Sequence, residues 1–392
     1  MARFLLTAPP LAGHVIPLAA VAYELQARGH EVAWAVHERQ VGRLLPADAT
    51  VYGLDDERAG ELLAAHTARL EEEAGRPDLT LTIWDDVFGP LALETLPGLE
   101  QAVDDFRPDA LFVDEHALAG AFAARRAGLP WVTSSPSFQA VADTTSLDAV
   151  RRWLAARQAA LQRTAGLVPV PSPGRSPQGV VVYTTRAFVG ATSFPAECVF
   201  VGPAVVPRRQ DLPFPWERLV RRPRVLVTLG TVVPAAGRRV YEAAVEAFGG
   251  TDVELVLCTP GDVAPPATPA NVVAVEWAPF DTLLPQVDAV VCHAGVNTVN
   301  EALLHDLPLV VTPVAYDHAF TARTVVESGA GLAVRARRLR TSELRSAVEA
   351  VLGDPSFRAA ATRIGASLRA SDGAAGAADV LEAVALPVLG AA

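Results

Sequence analysis

The stretch Trp277–His318 constrains the fold of this 392-residue chain more than any other, because it reads as strand, turn, helix and strand in succession. Ala289-Val290-Val291-Cys292 is a short apolar run between polar residues, the pattern of a strand buried on both faces in a parallel sheet. It leads into His293-Ala294-Gly295, after which a helix is expected, with Val296, Asn297 and Thr298 in its first turn. Backbone N–H groups there have no intrahelical partners, and Gly295 lets a ligand approach the main chain closely, so this turn is an expected phosphate site. Glu301 follows on the same face, at i+3 from Thr298. Leu307-Pro308 ends the helix, Leu309–Thr312 is the next strand, and Asp317-His318 lies at its C-terminal side. That is the edge at which doubly wound sheets bind ligands.

The rest of the chain repeats this α/β rhythm. Phe4–Ala8 is a strand, and Leu18, Val21, Ala22 and Leu25 recur with helical spacing up to Gly29. Val32–Val36 is the next strand. Further on, Ala110–Val113 (strand), Ala117–Ala127 (helix), Gly128 and Pro130 (stop) and Trp131–Thr133 (strand) form a second unit of the same kind, which implies parallel sheet. Glu57–Phe106 reads as helix-rich, and Val150–Arg163 as an amphipathic helix. A Pro- and charge-rich stretch, Pro207–Pro215, has the composition of a linker. After it, Arg224–Leu229 is a strand ending at Gly230-Thr231, a small pair that lets a phosphate near the backbone.

The motif Trp277-Ala278-Pro279-Phe280, His293–Thr298, Glu301 and Asp317-His318 resembles the donor-binding motif of family 1 glycosyltransferases, the inverting, metal-independent GT-B enzymes acting on small lipophilic molecules. The resemblance implies two Rossmann-like doubly wound domains facing a cleft. It places an acceptor domain at residues 1–206, a linker at 207–223 and a nucleotide-sugar domain at 224–376. A helix over 377–392 is expected to pack back toward the N-terminal domain. It further implies that Trp277 stacks on the nucleobase, that His293 and Thr298 hold the pyrophosphate, that Glu301 binds ribose, and that Asp317 binds sugar hydroxyls. Phe280 and His318 depart from the pattern, each standing where Gln is common.

His14, in Ala12-Gly13-His14-Val15-Ile16-Pro17, is expected between the first strand and the first helix, at the carboxyl edge of the N-terminal sheet. The resemblance makes it the general base, a role suited to an imidazole near neutral pH. Asp114 then matches the carboxylate that orients such a base; its other reading is a helix cap. Glu115 and His116 rank below it. Thr133 matches a hydroxyl that touches the donor sugar in related enzymes. Trp84, Phe88, Phe138 and Trp153 are candidates for an acceptor pocket, with core packing the equal alternative.

A formal net charge of −11 and the lack of a basic stripe argue against a nucleic-acid partner. The cluster Arg335, Arg337, Arg338 and Arg340 reads as a solvated stretch near a helix start. Three cysteines without a CxxC pair argue against a disulfide framework or zinc site and suit a reducing cytoplasm. No apolar run approaches membrane-spanning length, so no stable membrane insertion is expected. There is no Asp-x-Asp, which many sugar transferases use to bind a metal, so the leaving diphosphate is expected to rest on His293, Thr298, Thr231 and the helix dipole. The expected partners are a UDP- or dTDP-sugar as cosubstrate, with no other cofactor, and a hydrophobic small-molecule acceptor, with a homodimer allowed. A GT-B sugar-nucleotide epimerase and a non-catalytic auxiliary protein remain as alternatives, whereas a nicotinamide oxidoreductase lacks its G-x-G-x-x-G.

Overall fold

The structure is a computed structural model that describes residues 1–72, 82–142, 148–206, 213–230, 234–259, 268–336 and 339–389. It divides into two compact units. The first comprises Met1–Tyr183, Ala191–Val206 and Ser371–Ala392, and the second Thr184–Gly190 and Pro207–Ala370. This division differs from the sequence expectation in three places: Thr184–Gly190 goes with the second unit, residues 207–223 expected as a linker go with it too, and the return to the first unit comes at Ser371.

The first unit is built on seven parallel strands: β1 (Arg3–Thr7), β2 (Glu31–Val36), β3 (Thr50–Gly53), β4 (Ala110–Asp114), β5 (Trp131–Ser135), β6 (Val180–Val182) and β7 (Cys198–Phe200). Their order is β3-β2-β1-β4-β5-β6-β7, so the winding reverses between β1 and β4. Phe4 faces Ala110 and Thr7 faces Val113 across that junction. The central strands are apolar on both faces because helices cover both, which is why they read as continuous hydrophobic runs.

The helix Ala12–Ala27 follows β1, and it starts earlier than its sequence suggests. Its Leu11 cap makes no side-chain hydrogen bond and Pro17 lies inside it, so neither a capping signal nor an unbroken helical pattern marks its beginning. His14 therefore stands within the first helical turn and not in a connecting loop. The helix Leu118–Ala127 ends at Gly128, whose φ of 68° is the left-handed conformation that closes a helix without a Cβ penalty.

The C-terminal helix Ala374–Leu389 completes the core of the first unit. Ala377, Ala378, Leu381 and Ala385 are fully buried in the cluster that holds Phe4, Leu18 and Leu25. Truncating a buried leucine such as Leu381 to alanine costs about 2–5 kcal/mol. Arg28 bonds Asp379 at 2.6 Å and Glu382 at 2.9 Å, and His30 bonds Glu382 at 2.7 Å, which fixes the helix's register.

The second unit has six parallel strands: β8 (Arg224–Thr228), β9 (Glu254–Cys258), β10 (Val272–Val275), β11 (Ala289–Cys292), β12 (Leu309–Val311) and β13 (Gly331–Ala333). The order β10-β9-β8-β11-β12-β13 again reverses beside the first strand, here between β8 and β11. Among the described residues, no helix is long and apolar enough to cross a membrane.

Candidate active site

In an open parallel sheet the strand ends on either side of the reversal leave a crevice that neither crossover helix covers. In the first unit His14 follows β1 and Asp114 ends β4, so the two residues flank that point. Nδ1 of His14 lies 2.8 Å from Oδ2 of Asp114. The carboxylate is fully buried and the imidazole is 15% exposed, so the pair is oriented from inside and open at its outer edge. The second oxygen, Oδ1, accepts the backbone N–H of His116 at 2.9 Å. One carboxylate thus fixes a base candidate and the residue two places on.

The His116 ring stacks on Phe88, with centroids 4.6 Å apart and planes inclined by 19°. Trp84 meets it edge-on at 5.6 Å, and His14 lies 5.3 Å away. Trp84–Phe88 is a single π-helical turn, a local widening found often at functional sites. Burial, and then the neighbouring His14, lower the pKa of His116 to about 3, which keeps the ring neutral. Glu115 turns the opposite way and accepts hydrogen bonds from Ser135 Oγ at 2.5 Å, Ser137 N–H at 3.0 Å and Ser137 Oγ at 2.8 Å. Burial and the adjacent Asp114 push its carboxyl up to about 8.

In the second unit the corresponding reversal lies between β8 and β11, with Gly230 just past β8 and His293 just past β11. Cβ atoms on Gly230 or Gly295 would run into the His293 ring, at 2.9 Å from Cε1 in the case of Gly230. These glycines therefore make room for His293, and the space at Gly295 expected for a ligand is taken by that imidazole. Between His293 and Gly295, Ala294 adopts a left-handed φ of 71°, a conformation that costs a non-glycine residue about 1–2 kcal/mol. Strain of this kind gathers where a backbone must present groups to a ligand.

Gly295 caps the helix Val296–Leu304, with Val296 buried and Asn297, Thr298 and Glu301 half-buried along it. Trp277 is 45% exposed, whereas the neighbouring Ala278 is buried. Asp317 caps the helix His318–Glu327 and is half-buried. His318 is only 7% exposed, its Nδ1 accepts the Ala315 N–H at 3.2 Å, and its ring meets His293 edge-on at 4.6 Å. Burial lowers the pKa of His293 to about 4, and burial together with His293 holds His318 well below the usual histidine range.

A family profile described as "Erythromycin biosynthesis protein CIII-like, C-terminal domain" matches residues 242–384. The 4'-demethylrebeccamycin synthase of Lentzea aerocolonigenes is 31% identical over 97% of this chain and 99% of its own length. The chain belongs to the GT-B natural-product glycosyltransferases. Demethyllactenocin mycarosyltransferase of Streptomyces fradiae is 30% identical over 96% of this chain and 85% of its own. Among solved structures, the glycosyltransferase of kitacinnamycin superposes with a TM-score of 0.74 at 24% identity, covering 97% of this chain and 98% of that one. Spinosyn rhamnosyltransferase SpnG complexed with thymidine diphosphate gives 0.72 at 22% identity, covering 97% and 100%.

In this glycosyltransferase two residues expected at the site, Thr133 and Phe138, are interior. Thr133 is fully buried, and its hydroxyl donates to the Gly174 carbonyl at 3.1 Å and accepts the Ser176 N–H at 2.8 Å. A hydroxyl so engaged holds the 174–176 segment to β5 and has no face for a sugar. Phe138, 1% exposed, is interior packing at the head of a short 3-10 turn. Trp84 and Phe88 do come together, around His116. Thr231 lies outside the described residues. His116, ranked below Asp114 in the sequence, emerges as the ring nearest His14 in the aromatic group; its place in the turn two residues past Asp114, where β4 ends, was the available signal. Among the described residues no three His, Cys, Asp or Glu side chains gather as a set of metal ligands.

Proposed function

We propose that this glycosyltransferase moves a sugar from a UDP- or dTDP-sugar to a hydroxyl of a hydrophobic small molecule, with inversion and without a metal, and that His14 is the general base. The observation that carries the reading is the 2.8 Å bond between His14 Nδ1 and Asp114 Oδ2 beside the β1/β4 reversal. With its proton on Nδ1, the imidazole has its lone pair on Nε2. That nitrogen takes the acceptor proton as the acceptor oxygen bonds to the anomeric carbon and the bond from that carbon to the diphosphate breaks. Buried Asp114 stabilises the imidazolium so formed.

On the donor side, Trp277 offers an exposed face for the nucleobase, and Glu301 a carboxylate for ribose hydroxyls. His293, Thr298 and the amino end of the helix Val296–Leu304 receive the diphosphate, whose growing charge the helix dipole favours. Asp317 accepts from sugar hydroxyls. The similar fold of SpnG has been solved complexed with thymidine diphosphate and with spinosyn aglycone, which supports these two ligand classes. Three buried cysteines, none in a disulfide, support a reducing, cytoplasmic setting.

The test is a transfer assay with UDP- and dTDP-sugars and a panel of hydrophobic alcohols and phenols, run with and without EDTA, with the anomeric configuration of the product read by NMR. Activity that persists in chelator and gives an inverted anomer is expected. Loss of activity in EDTA with recovery on adding magnesium, or a retained configuration, would overturn the proposed mechanism.

A further inference from the structure

His116 occupies an unusual position for a buried-edge histidine. Its backbone is tied by the same carboxylate that orients His14, its ring lies flat on Phe88 and against the edge of Trp84, and it sits 5.3 Å from the His14 ring. Nδ1 of His116 is sealed inside the protein without a protein partner, so any hydrogen bond the ring makes to a ligand falls to Nε2. A phenylalanine would stack on Phe88 at least as well and would bury no orphaned nitrogen, so packing alone gives no reason for an imidazole here.

We propose that His116 is a specificity-determining residue that recognises, through Nε2, a second oxygen substituent on a flat, aromatic acceptor whose first hydroxyl is presented to His14. The inference rests on the reading of His14 as base and extends it to the class of acceptor. The His14 imidazole, held by Asp114, and the His116 imidazole, held against the Phe88 and Trp84 rings, make two hydrogen-bonding points with ring centroids 5.3 Å apart. A dioxygenated ring meets both points at once, whereas a mono-ol meets one. Because His116 stays neutral near physiological pH, its nitrogen can bond a hydroxyl or carbonyl without placing a second positive charge beside His14, which would weaken the base.

Quenching of tryptophan fluorescence gives dissociation constants for 1-naphthol and 1,3-naphthalenediol without requiring turnover. The wild-type protein is expected to prefer the diol by about tenfold, the worth of one well-formed hydrogen bond. His116→Phe, which keeps the stack, should bring the two constants together, and His116→Gln, which keeps a hydrogen-bonding group, should retain part of the preference. The proposal is overturned if wild type binds the two alike, if it binds neither, or if His116→Phe leaves the ratio unchanged. His14→Ala separates this result from the base assignment: persistent transfer in that variant would remove His14 as base while the affinity ratio at His116 stood or fell by itself.

Discussion

The imidazole of His293 fills the space that a Cβ on Gly295 would need, so a side chain at residue 295 must displace the ring. Gly295 has an ordinary φ of −65°, so Gly295→Ala strains no backbone and acts only through His293. It should weaken binding of UDP and dTDP in calorimetric titration. Gly230→Ala should weaken it too, and should lower stability by a further 1–2 kcal/mol or so, because Gly230 sits at a φ of 70°. Unchanged nucleotide affinity in Gly295→Ala would separate His293 from the diphosphate.

His14→Ala should reduce kcat by about 10²–10⁴-fold, the usual contribution of a positioned base. Asp114→Asn should also slow turnover strongly with the fold intact, because the amide keeps the shape but loses the charge that stabilises the imidazolium. Nucleotide affinity should be unaffected in both, since the two side chains belong to the first unit and the donor motif to the second. An Asp114→Asn protein that melts early yet retains activity per folded molecule would make Asp114 a structural cap.

His318 stands where Gln is common and adjoins Asp317, the residue expected at the sugar, so His318→Gln should alter sugar preference. With His318 edge-on to His293 at 4.6 Å, the variant should also change nucleotide diphosphate affinity, because the Gln leaves the His293 ring with a smaller neighbour. Titration with free dTDP and a ranking of sugar donors together decide the matter. A changed ranking with constant dTDP affinity would restore the sugar-reading role alone.

Acid should destabilise the protein over a defined window. The folded-state pKa values of His116 and His293, about 3 and about 4, lie below the ordinary 6.5, so between those limits the unfolded chain binds protons that the folded one does not. Stability from these groups is present above pH 6.5 and is lost as pH falls toward 4. Urea midpoints measured at pH 7 and pH 5 should differ less in His116→Phe than in wild type. An identical pH response in the two would show that His116 titrates like a solvated imidazole.

The strands around both reversals were legible because two-sided burial leaves a contiguous apolar signature, as in Ala289–Cys292. The His14–Asp114 pairing was legible from strand-end positions together with the family resemblance. The start of the helix at Ala12 was not, since Gly13 and Pro17 look like breakers and no capping residue precedes them. Nor could the occupation of Thr133 be seen, because its partners Gly174 and Ser176 are 41 and 43 residues away. The same holds for Glu115, whose hydroxyl partners come from the neighbouring strand end, and for His116, whose value depends on a π-helical turn at Trp84–Phe88 that has no sequence signature.

The helix Ala374–Leu389 sets the order in which the chain can assemble during synthesis. Its Ala377, Ala378, Leu381 and Ala385 close a hydrophobic cluster whose other members, among them Phe4 and Leu18, are translated first. The earliest residues to leave the ribosome thus wait for some of the last. The second unit, nearly continuous in sequence, has all its strands available before then. Until the final helix emerges, the nascent first unit carries an uncovered apolar surface, the kind of surface that chaperones bind. A chain that ended just before residue 374 would contain the whole of the second unit and a first unit whose apolar cluster lies open.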